Sequence, residues 1–261
     1  MAKKLTLTFL GTGTSQGVPV IGCKCSVCTS SDPRDNRLRT SDMVETDECR
    51  FIIDAGPDFR MQLLRADVSH ISAILLTHKH KDHIGGIDDV RALNFVDYPE
   101  IHTVHIYATA DTVDCVRKDY DYAFFTVRYR GTPEIKLHTI DPEQSFTIDG
   151  VEIIPIRGSH AHFEVTGYRI GNLAYLTDFK SIDESQIAKL QGVEVLVVNA
   201  LRYAPHDSHF SVADALALIE QVAPQRAYLT HMSHEIGLYQ EIEKNLPSGV
   251  HFAYDGLKVE L

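Results

Sequence analysis

What this chain of 261 residues lacks narrows its class before any motif is read. Long apolar runs are missing. Nothing approaches the ~18 consecutive apolar residues of a membrane-spanning helix. Residues 1–10 alternate apolar side chains with threonine after a Lys-Lys pair. They lack the ~7–15-residue apolar core of a signal peptide. A first strand and a cytoplasmic setting are therefore expected. Positive charge is also short. With 25 Lys and Arg against 36 Asp and Glu, the formal charge is −11, which argues against nucleic acid as a partner. Linkers, low-complexity tracts and long repeats are absent, so one domain over residues 1–261 is the expectation. Apolar residues make up 44% of the chain, enough for a full core without extra staples.

Cysteine is sparse and unevenly placed. Five residues are an odd count, and a reducing compartment disfavours a disulfide framework. Three of them form Cys23-x-Cys25-x-x-Cys28, inside a loop at about residues 22–30. Thiols at this spacing suit a metal, with a fourth ligand supplied from elsewhere. Cys49 and Cys115 stand alone and read as ordinary thiols.

Histidine, by contrast, is concentrated. His78, His80, Asp82 and His83 form H-x-H-x-D-H directly after the apolar run Ala73-Ile74-Leu75-Leu76. Ligand-type side chains this dense, at the mouth of an expected buried strand, mark a metal or catalytic candidate. The competing reading is a polar loop that is merely rich in histidine. Neutral imidazoles and carboxylates bind Zn²⁺ and its first-row neighbours, Mn²⁺ included. Alternation along extended backbone turns His78 and His80 to the same side, toward one ion. Asp82 and His83, a little further along, can face a second.

A local echo runs through the chain. Ala73-Ile-Leu-Leu-Thr-His78, Leu173-Ala-Tyr-Leu-Thr-Asp178 and Ala227-Tyr-Leu-Thr-His231 each join a short apolar run to Thr and a ligand-type residue. Such runs suit strands covered on both faces. Their last residues would lie at strand carboxyl ends, where α/β folds build sites. Phe51-Ile-Ile-Asp54-Ala-Gly56 and Val193-Glu-Val-Leu-Val-Val-Asn199 have a similar form. Helices are expected near 58–66, 87–95 and 112–120. Ser181-x-x-Glu184 reads as a capping box opening a helix to Leu190. Ser211 should cap 212–222, stopped by Pro224, and 238–246 should end at Pro247. Two facing sheets with helices outside account for this order.

These motifs together resemble the metallo-β-lactamase-fold hydrolases, and the resemblance covers nearly the whole chain. It implies an α/β, four-layer αββα sandwich with a dinuclear metal site at the edge between its sheets. His78, His80 and a third histidine would hold one ion; Asp82, His83 and His231 would hold the other. Asp178 would bridge them, and Asp54 would orient a ligand from behind. For the third histidine, Ser159-His160-Ala161-His162 offers two candidates. Counting back from Gly167-Tyr168-Arg169-Ile170 favours His160, leaving His162 to the pocket or surface.

Within that superfamily the chain is most similar to the PhnP-type phosphodiesterases. The likeness rests on Gly11-Thr-Gly-Thr-Ser-Gln-Gly-Val-Pro19, the cysteine group that follows, and Leu229-Thr-His-Met-Ser-His234. It implies a structural Zn²⁺ held by Cys23, Cys25, Cys28 and His234, a closed set bracing the strand end that carries His231. Three free thiols in a loop are the alternative. The opening glycines fit neither a dinucleotide fingerprint nor a P-loop; they read as tight-turn glycines lining the site.

The activity so implied is hydrolysis of a small phosphodiester, cyclic ones included. A pair of Zn²⁺ or Mn²⁺ ions would lower the pKa of a shared water, and Asp82 would orient the nucleophile. His209, in Ser208-His209-Phe210-Ser211, matches the histidine that assists the leaving oxygen and clamps the phosphate in such relatives. Helix N–H groups nearby would add donors for an anion. Packing is the other reading of His209, and His206 competes for the same role. His70, His102, His105, His138 and His251 read as surface or packing residues. Tyr122, Phe124, Phe125 and Tyr129 read as core, with a substrate pocket or a homodimer contact as alternatives. Rival functions are a transfer-RNA 3′-processing endonuclease, a thioester or lactam hydrolase, and a noncatalytic metal-binding module like the pyrroloquinoline-quinone-associated relatives. Of these, the endonuclease resemblance lacks the RNA-gripping arm.

Overall fold

The computed structural model describes residues 5–127 and 129–261. Of the strand expected at residues 1–10, the first four residues lie outside the described part; β1 is Thr6–Gly11. The first half continues with β2 (Ser41–Glu45), β3 (Arg50–Ile53), α1 (Phe59–Ala66), β4 (Ala73–Leu75), α2 (Lys81–Ile84), α3 (Val90–Asn94), β5 (Val104–Ala108), α4 (Ala110–Asp119) and β6 (Ile135–Thr139). The second half holds β7 (Phe146–Ile148), β8 (Val151–His160), β9 (Phe163–Ile170), β10 (Leu173–Leu176), α5 (Glu184–Ala188) and β11 (Val195–Asn199). It ends with α6 (Val212–Val222), β12 (Arg226–Thr230), α7 (Tyr239–Ile242), β13 (Val250–Phe252) and β14 (Lys258–Glu260).

The strands form two seven-stranded sheets, ordered β14-β1-β2-β3-β4-β5-β6 and β13-β12-β11-β10-β9-β8-β7. Neighbours from β3 to β6 run parallel, as do those from β10 to β13. Parallel strands must be covered on both faces, which explains why Val195-Leu-Val-Val-Asn199 is buried throughout. Alternation then divides the apolar residues among three cores. Leu7, Phe9, Ile53 and Leu75 meet Ile153, Tyr175 and Val197 between the sheets. Ile52, Ile74 and Ile106 pack outward on Phe59, Val90 and Val116 of α1, α3 and α4. Leu196, Val198 and Leu229 pack on Ile187, Leu218 and Ile242 of α5, α6 and α7. The result is the four-layer αββα sandwich. Among the described residues no helix is long and apolar enough to cross a membrane.

Helix α6 starts where expected, its Ser211 hydroxyl accepting from the Asp214 N–H while Asp214 returns the bond. The proposed Ser181 cap fails. Helix α5 begins after Asp183, and Ser181 instead bridges to Ser159, with 2.6 Å between their hydroxyl oxygens. The expected helix over 238–246 divides into α7 and a 3₁₀ turn at Glu243–Asn245. The core reading fails for Phe125 and Tyr129, which are 55% and 61% exposed, while Tyr122 and Phe124 are half-buried. The two exposed rings are available for surface contacts.

Candidate metal centre

Three ligand-type residues at strand ends share a feature no periodicity announces. Asp54, Asp178 and His231 all have left-handed backbone, with φ of 64°, 62° and 57°. Non-glycine residues are uncommon there and cluster at functional sites. The threonines of the echo orient these groups. Thr77 donates to Asp54 through its N–H and its hydroxyl, each at 2.8 Å, and the Thr177 hydroxyl donates to Asp178 at 2.8 Å. Gly56 allows close approach of the histidine-rich loop, because a Cβ there would lie 1.9 Å from the Asp82 carbonyl oxygen.

The structure brings the sequence-predicted residues together in overlapping groups. Ligand atoms of His78, His80 and His160 lie within 4.8 Å of one another, as do those of Asp82, His83 and His231. Asp178 stands between the groups. Its Oδ2 is 3.2 Å from His83 Nε2, and its Oδ1 is 3.3 Å from His231 Nε2 and 3.9 Å from His160 Nε2. Three imidazoles are turned inward by bonds behind them. His83 Nδ1 donates to Asp54 Oδ2 at 2.7 Å, and His160 Nδ1 to the Ser208 carbonyl at 2.8 Å. The Thr77 hydroxyl already donates to Asp54, so at 3.0 Å it accepts from His78 Nδ1. Each ring therefore presents Nε2 to the centre, the arrangement that outer partners of metal ligands impose.

The electrostatics call for a cation. Burial opposes ionisation of Asp178, yet His231 and His83 hold its carboxyl well below the usual range. Asp82 is likewise held low against burial, chiefly by His83. Burial would neutralise His83, but Asp178, Asp82 and Asp54 raise it well above an ordinary imidazole. His78 goes the other way, held neutral by burial and by His83. Nε2 of His78 and His83 and both nitrogens of His231 are buried without a hydrogen-bond partner. An unmade buried hydrogen bond costs about 1–3 kcal/mol, whereas a divalent ion meets imidazole lone pairs and carboxylates together. The donor set fits Zn²⁺ or a neighbouring ion.

His209 belongs to this cleft. Its Nδ1 is unpartnered and 3.5 Å from Asp178 Oδ1, with ring centroids 4.6 Å from His160 and 4.8 Å from His231. Burial and the neighbouring His231 lower its pKa to about 3. His206 is occupied elsewhere, its Nδ1 accepting from the Ser208 N–H. Three of the expected helix donors are engaged: the N–H groups of Ser211 and Asp214 serve the capping box, and that of Val212 bonds to the Arg202 carbonyl.

A cavity of about 500 Å³ adjoins His78 and His80 and is lined by Lys79, Thr109, Thr112, His162 and Phe163. Most of these pocket residues were missed in the sequence, because they come from separate loops without a shared pattern.

The second cluster is made of sulfur. Cys23, Cys25, Cys28 and His234 have ligand atoms within 4.8 Å of one another, and their thiols are free. Sγ of Cys25 and Cys23 lie 3.3 Å and 3.4 Å from His234 Nδ1. The His234 contact lowers the Cys25 thiol to about 6, while burial pushes Cys28 up to about 11. The Thr14 N–H donates to the Met232 carbonyl and the Met232 N–H to the Thr12 carbonyl, joining the segment that leads into the cysteine loop to the residue after His231.

Comparison with known proteins agrees with this geometry. Residues 49–232 match the family profile of the beta-lactamase superfamily domain. A crystal structure of a diphosphatase from the PhnP family superposes with a TM-score of 0.92 at 40% identity, covering 99% of this chain and 97% of that one. An octanoyltransferase from Porphyromonas gingivalis (strain ATCC BAA-308 / W83) is 39% identical over 252 residues, or 96% of this chain. The chain spans 50% of that relative's length. Zn²⁺-bound PqqB from Methylobacterium extorquens shares the fold, with a TM-score of 0.73 at 20% identity over 98% of this chain and 100% of that one. Profile and superposition converge: the chain belongs to the beta-lactamase superfamily, with the metallo-β-lactamase fold, and is PhnP-like within it.

Proposed function

We propose that this chain is a phosphodiesterase acting on small phosphodiesters, cyclic ones included. The observation that carries this reading is His209, a buried imidazole with an unpartnered nitrogen set against Asp178. Hydrolysis of a phosphodiester adds water across one P–O bond, and the departing oxygen must take a proton. His209 is placed to hold that proton and to clamp a phosphate oxygen; an anion alongside favours its protonated form. Divalent ions in a nest of this kind supply Lewis acidity and a solvent nucleophile at neutral pH. His78, His80 and His160 would hold one, Asp82, His83 and His231 another, with Asp178 shared; Zn²⁺ and Mn²⁺ both suit these donors. Asp82, on the open side of the cluster, would also orient the attacking water. Asp54 keeps His83 in the right tautomer from behind. Cys23, Cys25, Cys28 and His234 would hold a structural zinc, as a closed Cys₃His set does.

The adjoining cavity supports a small substrate, since about 300–1,000 Å³ is typical of small-molecule pockets. Lys79 offers an ammonium there, 2.8 Å from Asp111 and 5.1 Å from the centre of the Phe163 ring. A diphosphate linkage presents phosphorus in a similar way, and the 40% identical PhnP-family structure is described as a diphosphatase. The test is a panel assay on metal-loaded protein. Bis(p-nitrophenyl) phosphate, a cyclic ribose phosphate and a dinucleoside diphosphate should turn over, against a thioester, a lactam and a transfer-RNA precursor. Turnover confined to the last three would overturn the phosphodiester reading. Inertness toward all six would favour the noncatalytic one.

A further inference from the structure

One cluster of metal-binding side chains lies apart from both centres. His70 precedes β4, and Asp97 and His102 lie between α3 and β5. Their ligand atoms fall within 4.8 Å of one another. Both imidazoles aim at one oxygen: Nε2 of His70 is 2.7 Å and Nε2 of His102 is 2.8 Å from Asp97 Oδ2. In the buried centre, His83 Nε2 stands 3.2 Å from each of two carboxylates; the surface donors are closer and hydrogen-bond one another, so an ion would take the place of those shared protons. Strands β4 and β5 are parallel. His70 and His102 precede them and His78 follows β4, which puts this cluster at the opposite end of the sheet from the catalytic candidates.

Its surroundings resemble those of a ligand set. The Ser69 hydroxyl lies 2.9 Å from His70 Nδ1, fixing the ring so that Nε2 faces Asp97. A cavity of about 260 Å³, lined by His70, Leu93, Ile101 and His102, leaves room for further coordination positions. Two imidazoles and a carboxylate are a set for Zn²⁺, Ni²⁺ or Co²⁺.

We propose that His70, Asp97 and His102 form a third, surface-accessible site for a divalent transition metal. An ion there clips the segment before β4 to the segment before β5, which His70 and His102 already join through Asp97. The open positions leave the ion accessible to exchange with solvent, so the clip responds to the free-metal level.

Zn²⁺-loaded protein, stripped of weakly held ions by a mild chelator, is titrated calorimetrically with Ni²⁺ while its zinc content is followed. Wild type should take up one further equivalent without releasing zinc. The His70→Ala/His102→Ala double variant should lose that equivalent, and Asp97→Asn, which keeps the side-chain shape, should lose it too. Ser69→Ala should keep it with affinity weakened about 10–100-fold. A wild type that takes up no further equivalent, or one that Asp97→Asn takes up with equal affinity, overturns the site and leaves a hydrogen-bonded His–Asp–His triad.

Discussion

The imidazole–carboxylate cleft and the thiol cluster are both groups of metal ligands, but their donors are in different states. In the cleft, buried nitrogens of His78, His83 and His231 have no partner, and a cavity opens beside His78 and His80. In the thiol cluster the donors already engage one another and the backbone: Cys25 and Cys23 meet His234, and Cys28 accepts from the Val20 N–H at 3.4 Å. Unmet demand beside a cavity suits an ion that must also meet substrate. Donors closed on each other suit an ion that only holds loops together.

The sharpest way to break that comparison is to remove the shared carboxylate. Asp178→Ala should empty the cleft of metal and abolish turnover, while the zinc at the cysteines stays; metal analysis that still finds two cleft ions would contradict the bridging role. His209→Ala should keep both metal contents and lower phosphodiester turnover by a factor on the order of 10²–10⁴, as for a lost general acid. Unchanged turnover removes His209 from the chemistry. Cys25→Ser should release one zinc and leave the cleft ions bound. Its melting temperature should fall by roughly 2–4 °C per kcal/mol lost in a domain of this size, and a zinc content equal to wild type refutes the brace. The smallest effect belongs to Ser211→Ala, which removes the cap of α6. It should cost about 1 kcal/mol in denaturant unfolding without altering metal content.

The legible parts of this molecule were the contiguous or rhythmic ones. The histidine loop and the Thr–ligand strand ends could be read because burial and ligation follow local chemistry and period. The choice between His160 and His162 depended on a turn. Ala161 has φ 53°, which breaks the alternation, so His160 stays buried while His162 is exposed beside the cavity. The supposed anion donors at the start of α6 are engaged by neighbours the sequence did not single out: the Ser211 N–H bonds to Asp214 and the Val212 N–H to the Arg202 carbonyl. Phe125 and Tyr129 read as core because large aromatic residues are mostly buried, but the structure leaves both exposed. His70 and His102 read as surface or packing residues because nothing local in the sequence links them to each other or to Asp97.

The order of residues by itself determined the chemistry on offer: which donors exist, which runs become buried strands, and that ligand-type groups follow those strands. Those properties come from individual side chains and their near neighbours. Only the packing of one sheet on the other decided which donors face each other, bringing Asp178 of the second sheet against His83 of the first. It also decided which nitrogens were stranded without water or a hydrogen-bond partner, since desolvation depends on everything that surrounds an atom and not on the sequence beside it.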